Sequence, residues 1–243
     1  MNKPVLFDDE RFDDLELDGL GIIQSKSGYG FTSDSVLLAN FVKAKRTDKV
    51  IELCAGSGVI STIVAYKRKL SHVTLVELQE KQADRAKRSF EFNKLPATVI
   101  CGKFQGISNT LGQGVFDICF ANPPYRSKDL TPSDNIEKAL STHEIEMNLD
   151  DLVIESAKLL KFGGKLYVIY PINRLAELFH KLCEKKIEPK EMIVIYPKKN
   201  RAAELVLVKA VKGAKPGLVV HDIIQNDEYG NPTEIMKAIY NSK

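Results

Sequence analysis

Nowhere does the chain carry an unbroken apolar run of about 18 residues, the length that a membrane-crossing helix requires. Its first 20 residues hold seven acids against two bases, where a secretory leader would show a basic stretch and then an apolar one. A cytosolic protein is the expectation. Cysteine is scarce: Cys54, Cys101, Cys119 and Cys183 show no C-x-x-C spacing, and the first three lie in or at the end of apolar strand-like runs. That pattern argues against a zinc site and against disulfides, and for four reduced thiols behaving as small hydrophobes. No internal repeat or low-complexity tract appears. Nor does one sign of charge dominate, since the formal net charge is only +3. The charge is uneven, however: residues 158–215 carry fourteen bases against five acids, an asymmetry that points to a polyanionic partner.

What is present is the alternation of strand and helix signals expected of an α/β domain. With 243 residues and an ordinary apolar share, the chain is long enough for one such domain with a sizeable core. Residues 1–45 read as an N-terminal extension, with a solvated lead-in to about Leu17, a short strand Gly21–Ser25, and a helix from Thr32–Asp34 to Phe41. Residues 211–243 read as a C-terminal tail of turns and extended segments packing on a sheet. Between them, strands are expected at 49–54, 73–76, 97–101, 115–120, 165–170, 191–196 and 204–209. Helices are expected from Val59, over 79–93, over 149–160 and over 172–184. The last two strands, joined by the short link Pro197-Lys198-Lys199-Asn200-Arg201, should be antiparallel. The whole predicts a doubly wound, seven-stranded, mostly parallel Rossmann-like sheet with antiparallel last strands.

Two stretches carry chemistry. The first strand runs into Glu52-Leu53-Cys54-Ala55-Gly56-Ser57-Gly58 and then a helix. Gly56 and Gly58 permit a tight turn and close backbone approach, and the helix start points free N–H groups at a ligand. The next strand delivers Glu77, 21 residues after Gly56, where a carboxylate can accept two ribose hydroxyls.

The second stretch, Asn122-Pro123-Pro124-Tyr125, ends a strand that is apolar but for Asp117 and suits a planar amine. An exocyclic NH2 on a conjugated ring offers two donors, and its lone pair is tied up in resonance, so a site must supply two acceptors and a flat wall. The Asn122 side-chain carbonyl and the Pro123 backbone carbonyl can be those acceptors, stiffened by proline, and the Tyr125 ring can be the wall. Stacking asks for the ring and not for the hydroxyl. Ligands bind outside the carboxyl ends of parallel strands, so Tyr125 is expected across a crevice from Gly56. Residues 126–146, with Lys128, Pro132 and Ser133, read as a mobile active-site loop. His143-Glu144 within it has no neighbouring second ligand and reads as a loop or helix start, so no metal is expected.

Together the two motifs resemble the class I S-adenosylmethionine-dependent methyltransferases of the amino group of adenine. NAD would explain the glycine loop but would leave the Asn-Pro-Pro-Tyr loop without a task. Within that class, Gly28-Tyr29-Gly30-Phe31-Thr32-Ser33-Asp34-Ser35-Val36-Leu37-Leu38 and Pro197 to Ala202 resemble the subfamily typified by bacterial valine-tRNA adenine-N6 methyltransferases. The resemblance implies S-adenosyl-L-methionine as cofactor, held by Glu52, Cys54, Gly56, Gly58, Glu77 and Asn122. It implies catalysis by Asn122, Pro123 and Tyr125, and a structured RNA substrate with an unpaired adenine, the tRNA anticodon loop first. On the substrate side it places Phe31, Pro124 and Tyr125, with Lys198, Lys199 and Arg201 on the phosphates. Many members have an Asp after the third strand to meet the cofactor adenine. This chain has Cys101-Gly102-Lys103 there, and the contact stays unassigned. The rival readings are methylation of a protein glutamine amide, disfavoured because only about 45 residues precede the first core strand, and a non-catalytic RNA-binding protein on the same fold. A DNA adenine methyltransferase is a third, disfavoured by the lack of a target-recognition domain.

Overall fold

The structure, a computed structural model, describes residues 4–28, 30–125 and 147–241. In chain order its strands are β1 (Glu10–Asp14), β2 (Gly21–Ser25), β3 (Val50–Leu53), β4 (Val73–Glu77), β5 (Ala97–Cys101), β6 (Phe116–Ala121), β7 (Leu160–Pro171), β8 (Ile187–Lys198), β9 (Leu205–Lys212) and β10 (Val219–Asn226). The helices are α1 (Ser33–Phe41), α2 (Val59–Lys67), α3 (Glu80–Asn93), α4 (Ser108–Leu111), α5 (Leu149–Leu159), α6 (Leu175–Glu184) and α7 (Glu234–Asn241), with a 3-10 turn at Ile172–Arg174.

Eight strands form the main sheet in the order β10-β8-β9-β7-β6-β3-β4-β5. That is one more than the seven expected, because the tail contributes β10, which pairs parallel to β8. The expected antiparallel pair at the end is β8 with β9, and β9 is the strand that runs against the others, pairing antiparallel to both β7 and β8. β3, β4, β5, β6 and β7 are mutually parallel.

Alternation along the central strands builds two cores. Val50, Leu75, Ile118, Phe120, Tyr167 and Ile169 face α1, α2 and α3, whereas Ile51, Leu53, Cys119, Ala121, Leu166 and Val168 face α5 and α6. Each fully buried Val, Leu, Ile or Phe among them contributes about 1.5–3 kcal/mol. Strands apolar on both faces are what a sheet covered by helices on both sides requires. α5 begins where the sequence places it because Asn148 and Asp151 close a capping box, the Asp151 N–H donating to Asn148 Oδ1 at 2.9 Å.

The N-terminus corrects the expectation of a solvated lead-in. β1 pairs antiparallel with β2, and Glu10, only 3% exposed, is gripped by two arginines of α3: Arg85 Nε at 3.2 Å, and Arg88 through Nη2 at 2.5 Å and Nη1 at 2.9 Å. Burial alone would raise the Glu10 pKa, but these bonds and the Phe7 N–H outweigh it, and the carboxyl sits below its ordinary range. The Ile23 N–H donates to Ser89 Oγ, and Asn93 brackets Gly21 from both its N–H and its C=O, so the hairpin is fastened along the length of α3. Among the described residues no helix is long and apolar enough to cross a membrane.

Candidate active site

The carboxyl ends of β3, β4, β5 and β6 open onto one cleft, the position at which an α/β sheet takes a small ligand. Its first wall is the loop after β3. There the backbone takes positive φ at Cys54 (57°), Gly56 (55°) and Gly58 (82°). The two glycines serve different ends. A Cβ on Gly58 would meet Leu75, Phe90 and Ala86 at 3.1–3.3 Å, so this glycine allows the start of α2 to pack against β4 and α3, and it does not line the cleft. A Cβ on Gly56 would meet nothing within 4 Å, because Gly56 faces the open cleft.

Glu77 secures that loop from the end of β4. Its Oε2 accepts from the Gly56 N–H at 2.7 Å, and its Oε1 accepts from the Gln79 N–H at 2.9 Å. At 6% exposure, burial pushes the carboxyl above its ordinary pKa, and the Gln79, Gly56 and Leu78 N–H groups pull it back. Glu77 lines the cleft together with Cys54.

Glu52 does not line the cleft. It is fully buried one residue pair before the loop, and its Oε2 accepts from both the Ser61 N–H (3.1 Å) and the Ser61 hydroxyl, holding the first turn of α2, while Oε1 has no hydrogen-bond partner. Burial pushes its pKa up to about 8, the Ser61 bonds acting the other way. Its placement is that of an internal brace for the glycine loop and not of a ligand contact.

The N-terminal hairpin supplies a second wall that motif reading missed. Gln24 on β2, 1% exposed, donates through Nε2 to Ser57 Oγ in the glycine loop and accepts at Oε1 from the Phe31 N–H at 3.1 Å. It thereby ties Phe31, which lines the cleft with Gly30 and Ser35, to the loop opposite. A buried glutamine in a strand of Ile and Gly was the available signal, since such an amide needs partners for both ends. Phe104 and Gln105, which follow β5, and Met147, which precedes α5, complete the lining. Thus Gly102-Lys103-Phe104-Gln105 occupies the region where the resemblance called for an Asp, and Gln105 Nε2 donates to Asp151 at 3.2 Å.

The third wall is the loop after β6. Asn122 and Pro124 line the cleft facing Gly56, and Pro123 is buried behind them. Tyr125 stands beside the lining. Its hydroxyl donates to Asp34 Oδ2 at 3.4 Å, its ring meets the edge of Tyr170 with centroids 6.4 Å apart at 74°, and its carbonyl accepts from Arg174 Nη1 at 3.5 Å. The hydroxyl, which stacking alone would not need, therefore has a partner. Burial raises the Asp34 carboxyl above its ordinary pKa, and bonds from Thr32, Tyr125 and Ser33 moderate the rise.

Lys198, Lys199 and Arg201 lie apart from the cleft, exposed on the turn between β8 and β9. Because β8 runs parallel to β6, the turn sits on the same edge of the sheet as the cleft mouth, three strand spacings away, or about 14 Å. Of the thiols, Cys119 is buried, Cys54 half-buried and Cys101 and Cys183 exposed, all free. Among the described residues no group of three or more His, Cys, Asp or Glu side chains could hold a metal. The expected loop 126–146, with His143-Glu144, lies outside the described residues, as does Tyr29.

The family model of the methyltransferase small domain matches residues 27–188. A curated protein named tRNA1(Val) (adenine(37)-N6)-methyltransferase, from a Shewanella species, is 26% identical over 214 residues, covering 86% of this chain and 89% of that protein. Among solved structures, a predicted O-methyltransferase from Agrobacterium tumefaciens superimposes with a TM-score of 0.69 at 23% identity over 86% of this chain and 95% of its own. A geranyl diphosphate C-methyltransferase from Streptomyces coelicolor, solved with S-adenosyl-L-homocysteine, superimposes with a TM-score of 0.54 at 13% identity over 74% and 75%.

Proposed function

The chain belongs to the methyltransferase small domain family, and from that membership we propose that it transfers the methyl group of S-adenosyl-L-methionine to the exocyclic amino group of an adenine in RNA, the tRNA anticodon loop first. The observation that carries the reading is convergence. A glycine loop with its strand-end acid and an Asn-Pro-Pro-Tyr loop, 45 to 70 residues apart in the chain, face each other across one cleft. The name shared by the curated relatives supports the adenine and the tRNA, and modification of tRNA fits a cytoplasmic enzyme.

The residues present fit the cofactor. Gly56 leaves a backbone cradle that any side chain would fill, Glu77 offers carboxylate oxygens at the end of β4, and Val76, Ile60 and Phe104 give apolar surface for a purine. When bound, S-adenosylmethionine supplies a methyl already activated on a sulfonium. The chain has then mainly to bring the amine into line. Asn122 and the Pro123 carbonyl accept the two N–H groups and stabilise the charge that develops on nitrogen, so no strong base is required and the proton leaves to water. Pro124 and Tyr125 give the flat surface for an adenine turned out of its stack, which an anticodon loop offers at low cost. Lys198, Lys199 and Arg201 meet phosphates on the same sheet edge.

Mass spectrometry of nucleosides from total tRNA, with and without the gene, tests this. Loss of N6-methyladenosine from a tRNA fraction on deletion is the expected result. Unchanged tRNA together with loss of methylglutamine from a protein would replace it with the amide reading.

A further inference from the structure

The first turn of α1 stands between two walls of the cleft. Phe31 and Ser35 face the cleft on one side, and between them the half-buried Asp34 turns its carboxylate away from it, to the hydroxyl of Tyr125. The turn is itself braced. Ser33 Oγ bonds Asp34 Oδ1 at 3.4 Å and accepts from Gln225 Nε2 of β10 at 3.2 Å, so the segment is held by the hairpin through Gln24 at Phe31 and by the tail strand at Ser33. Tyr125 meets groups from distant parts of the chain, and Arg174, Tyr170 and Asp34 touch different parts of it. Arg174, whose guanidinium is locked on Glu177 at 2.8 and 3.1 Å, holds the backbone. Tyr170 contacts one ring edge. Asp34 accepts from the hydroxyl at 3.4 Å, at the atom farthest from the backbone, where a contact bears on both side-chain torsions.

We propose that Asp34 is a positioning residue, setting the plane of the Tyr125 ring through its hydroxyl so that one segment shapes the cofactor side of the cleft and also orients the surface on which the target base rests. This rests on the reading of Tyr125 as the stacking surface for the amine-bearing base. A stacked base carries its amino nitrogen rigidly with it, so a tilt of the ring displaces the nitrogen from the methyl, and an ångström of misplacement is felt in the rate more than in binding. The simpler role for an acid in the first turn of a helix is to favour the positive end of the helix dipole, which depends on charge and not on where Tyr125 points.

The two roles separate by substitution. Asp34→Asn loses the charge and keeps an acceptor for the hydroxyl, Asp34→Ala loses both, and Tyr125→Phe removes the donor while keeping the ring. The chain has eight tyrosines, so protein carrying 13C at the tyrosine Cζ gives a countable spectrum in which Tyr125→Phe identifies the Tyr125 signal. That signal should shift in Asp34→Ala and return to its wild-type position in Asp34→Asn. In methylation of tRNA, Asp34→Ala and Tyr125→Phe should each lower kcat about 10-fold with little change in KM, and the double variant should be no slower than either, because both remove one interaction. A Tyr125 signal unmoved in Asp34→Ala, or additive losses in the double variant, would overturn the proposal. Wild-type protein that leaves tRNA unmethylated would instead sink the substrate reading, and the tyrosine signal would still decide the positioning role.

Discussion

The two principal walls of the cleft are built in opposite ways. On the glycine-loop side the ties are shorter in sequence: Glu52 to Ser61 spans nine residues, Gly56 to Glu77 spans 21, and Gln24 to Ser57 spans 33. On the Asn-Pro-Pro-Tyr side, the ties that orient the wall come from far away, Asp34 lying 91 residues from Tyr125 and Arg174 49 residues from it. A wall made from a short stretch works wherever that stretch folds. A wall oriented by distant partners exists only once α1, β7 and α6 have assembled around it. The first is therefore suited to hold what every methyl transfer shares, and the second to set what differs between substrates.

The sharpest way to break this division is to damage each wall and ask which step suffers. Asn122→Ala removes an acceptor that matters most once the nitrogen carries charge, so single-turnover methyl transfer should fall about 100-fold or more while cofactor affinity, read by calorimetry, stays near wild type. Glu77→Ala acts on the other wall. It should weaken S-adenosylmethionine binding by about 1.5–3 kcal/mol, the scale of a charged hydrogen-bond partner, and leave transfer at saturating cofactor much less affected. Tight binding of NAD without S-adenosylmethionine, in the same titration, would end the cofactor reading.

A smaller effect, confined to RNA, is expected of the basic turn. Replacing Lys198, Lys199 and Arg201 by Ala should flatten the salt dependence of tRNA binding by about one unit of slope for each phosphate that the turn neutralises. An unchanged slope would make the turn merely solvated.

Glu52 acts on neither step of the reaction, and its effect is on stability. Its folded pKa, about 8, lies above the ordinary 4.5, so the fold keeps a proton that the unfolded chain releases. The stability linked to that proton is fully present below pH 4.5 and is lost as the pH rises towards 8. Measured by denaturation, the advantage of wild type over Glu52→Gln should shrink across that window. A gap that widens with pH would mean that Glu52 is ionised in the fold.

How far each region could be read from sequence follows the same division. The glycine loop and Glu77 were legible because a contiguous pattern carries their geometry, and the central strands because runs such as Ile118 to Ala121 are apolar on both faces. The rule that parallel strands present ligands at their carboxyl ends put Tyr125 across from Gly56, whereas Asn122 and Pro124 line the cleft and Tyr125 stands beside it. The role of the Tyr125 hydroxyl was not legible, since nothing local links it to Asp34. β1 was hidden because Glu-Arg-Phe-Asp-Asp looks solvated until Arg85 and Arg88 surround Glu10. β10 was hidden because its first half, Val219 to Asp222, is exposed and its edges are marked by glycine and proline, so no buried period announces it. Glu52 was assigned to the ligand by position in a motif, and only three-dimensional packing shows it turned inward to Ser61.

The central claim is that the two walls meet on one reaction. Purified protein, S-adenosylmethionine labelled in its methyl group and a tRNA carrying an unpaired anticodon-loop adenine test it in one experiment, with the tRNA digested to nucleosides after a single turnover. Label is expected in N6-methyladenosine alone. Label on another base, on a ribose or on protein, or no label at all from protein that binds the cofactor, would contradict it.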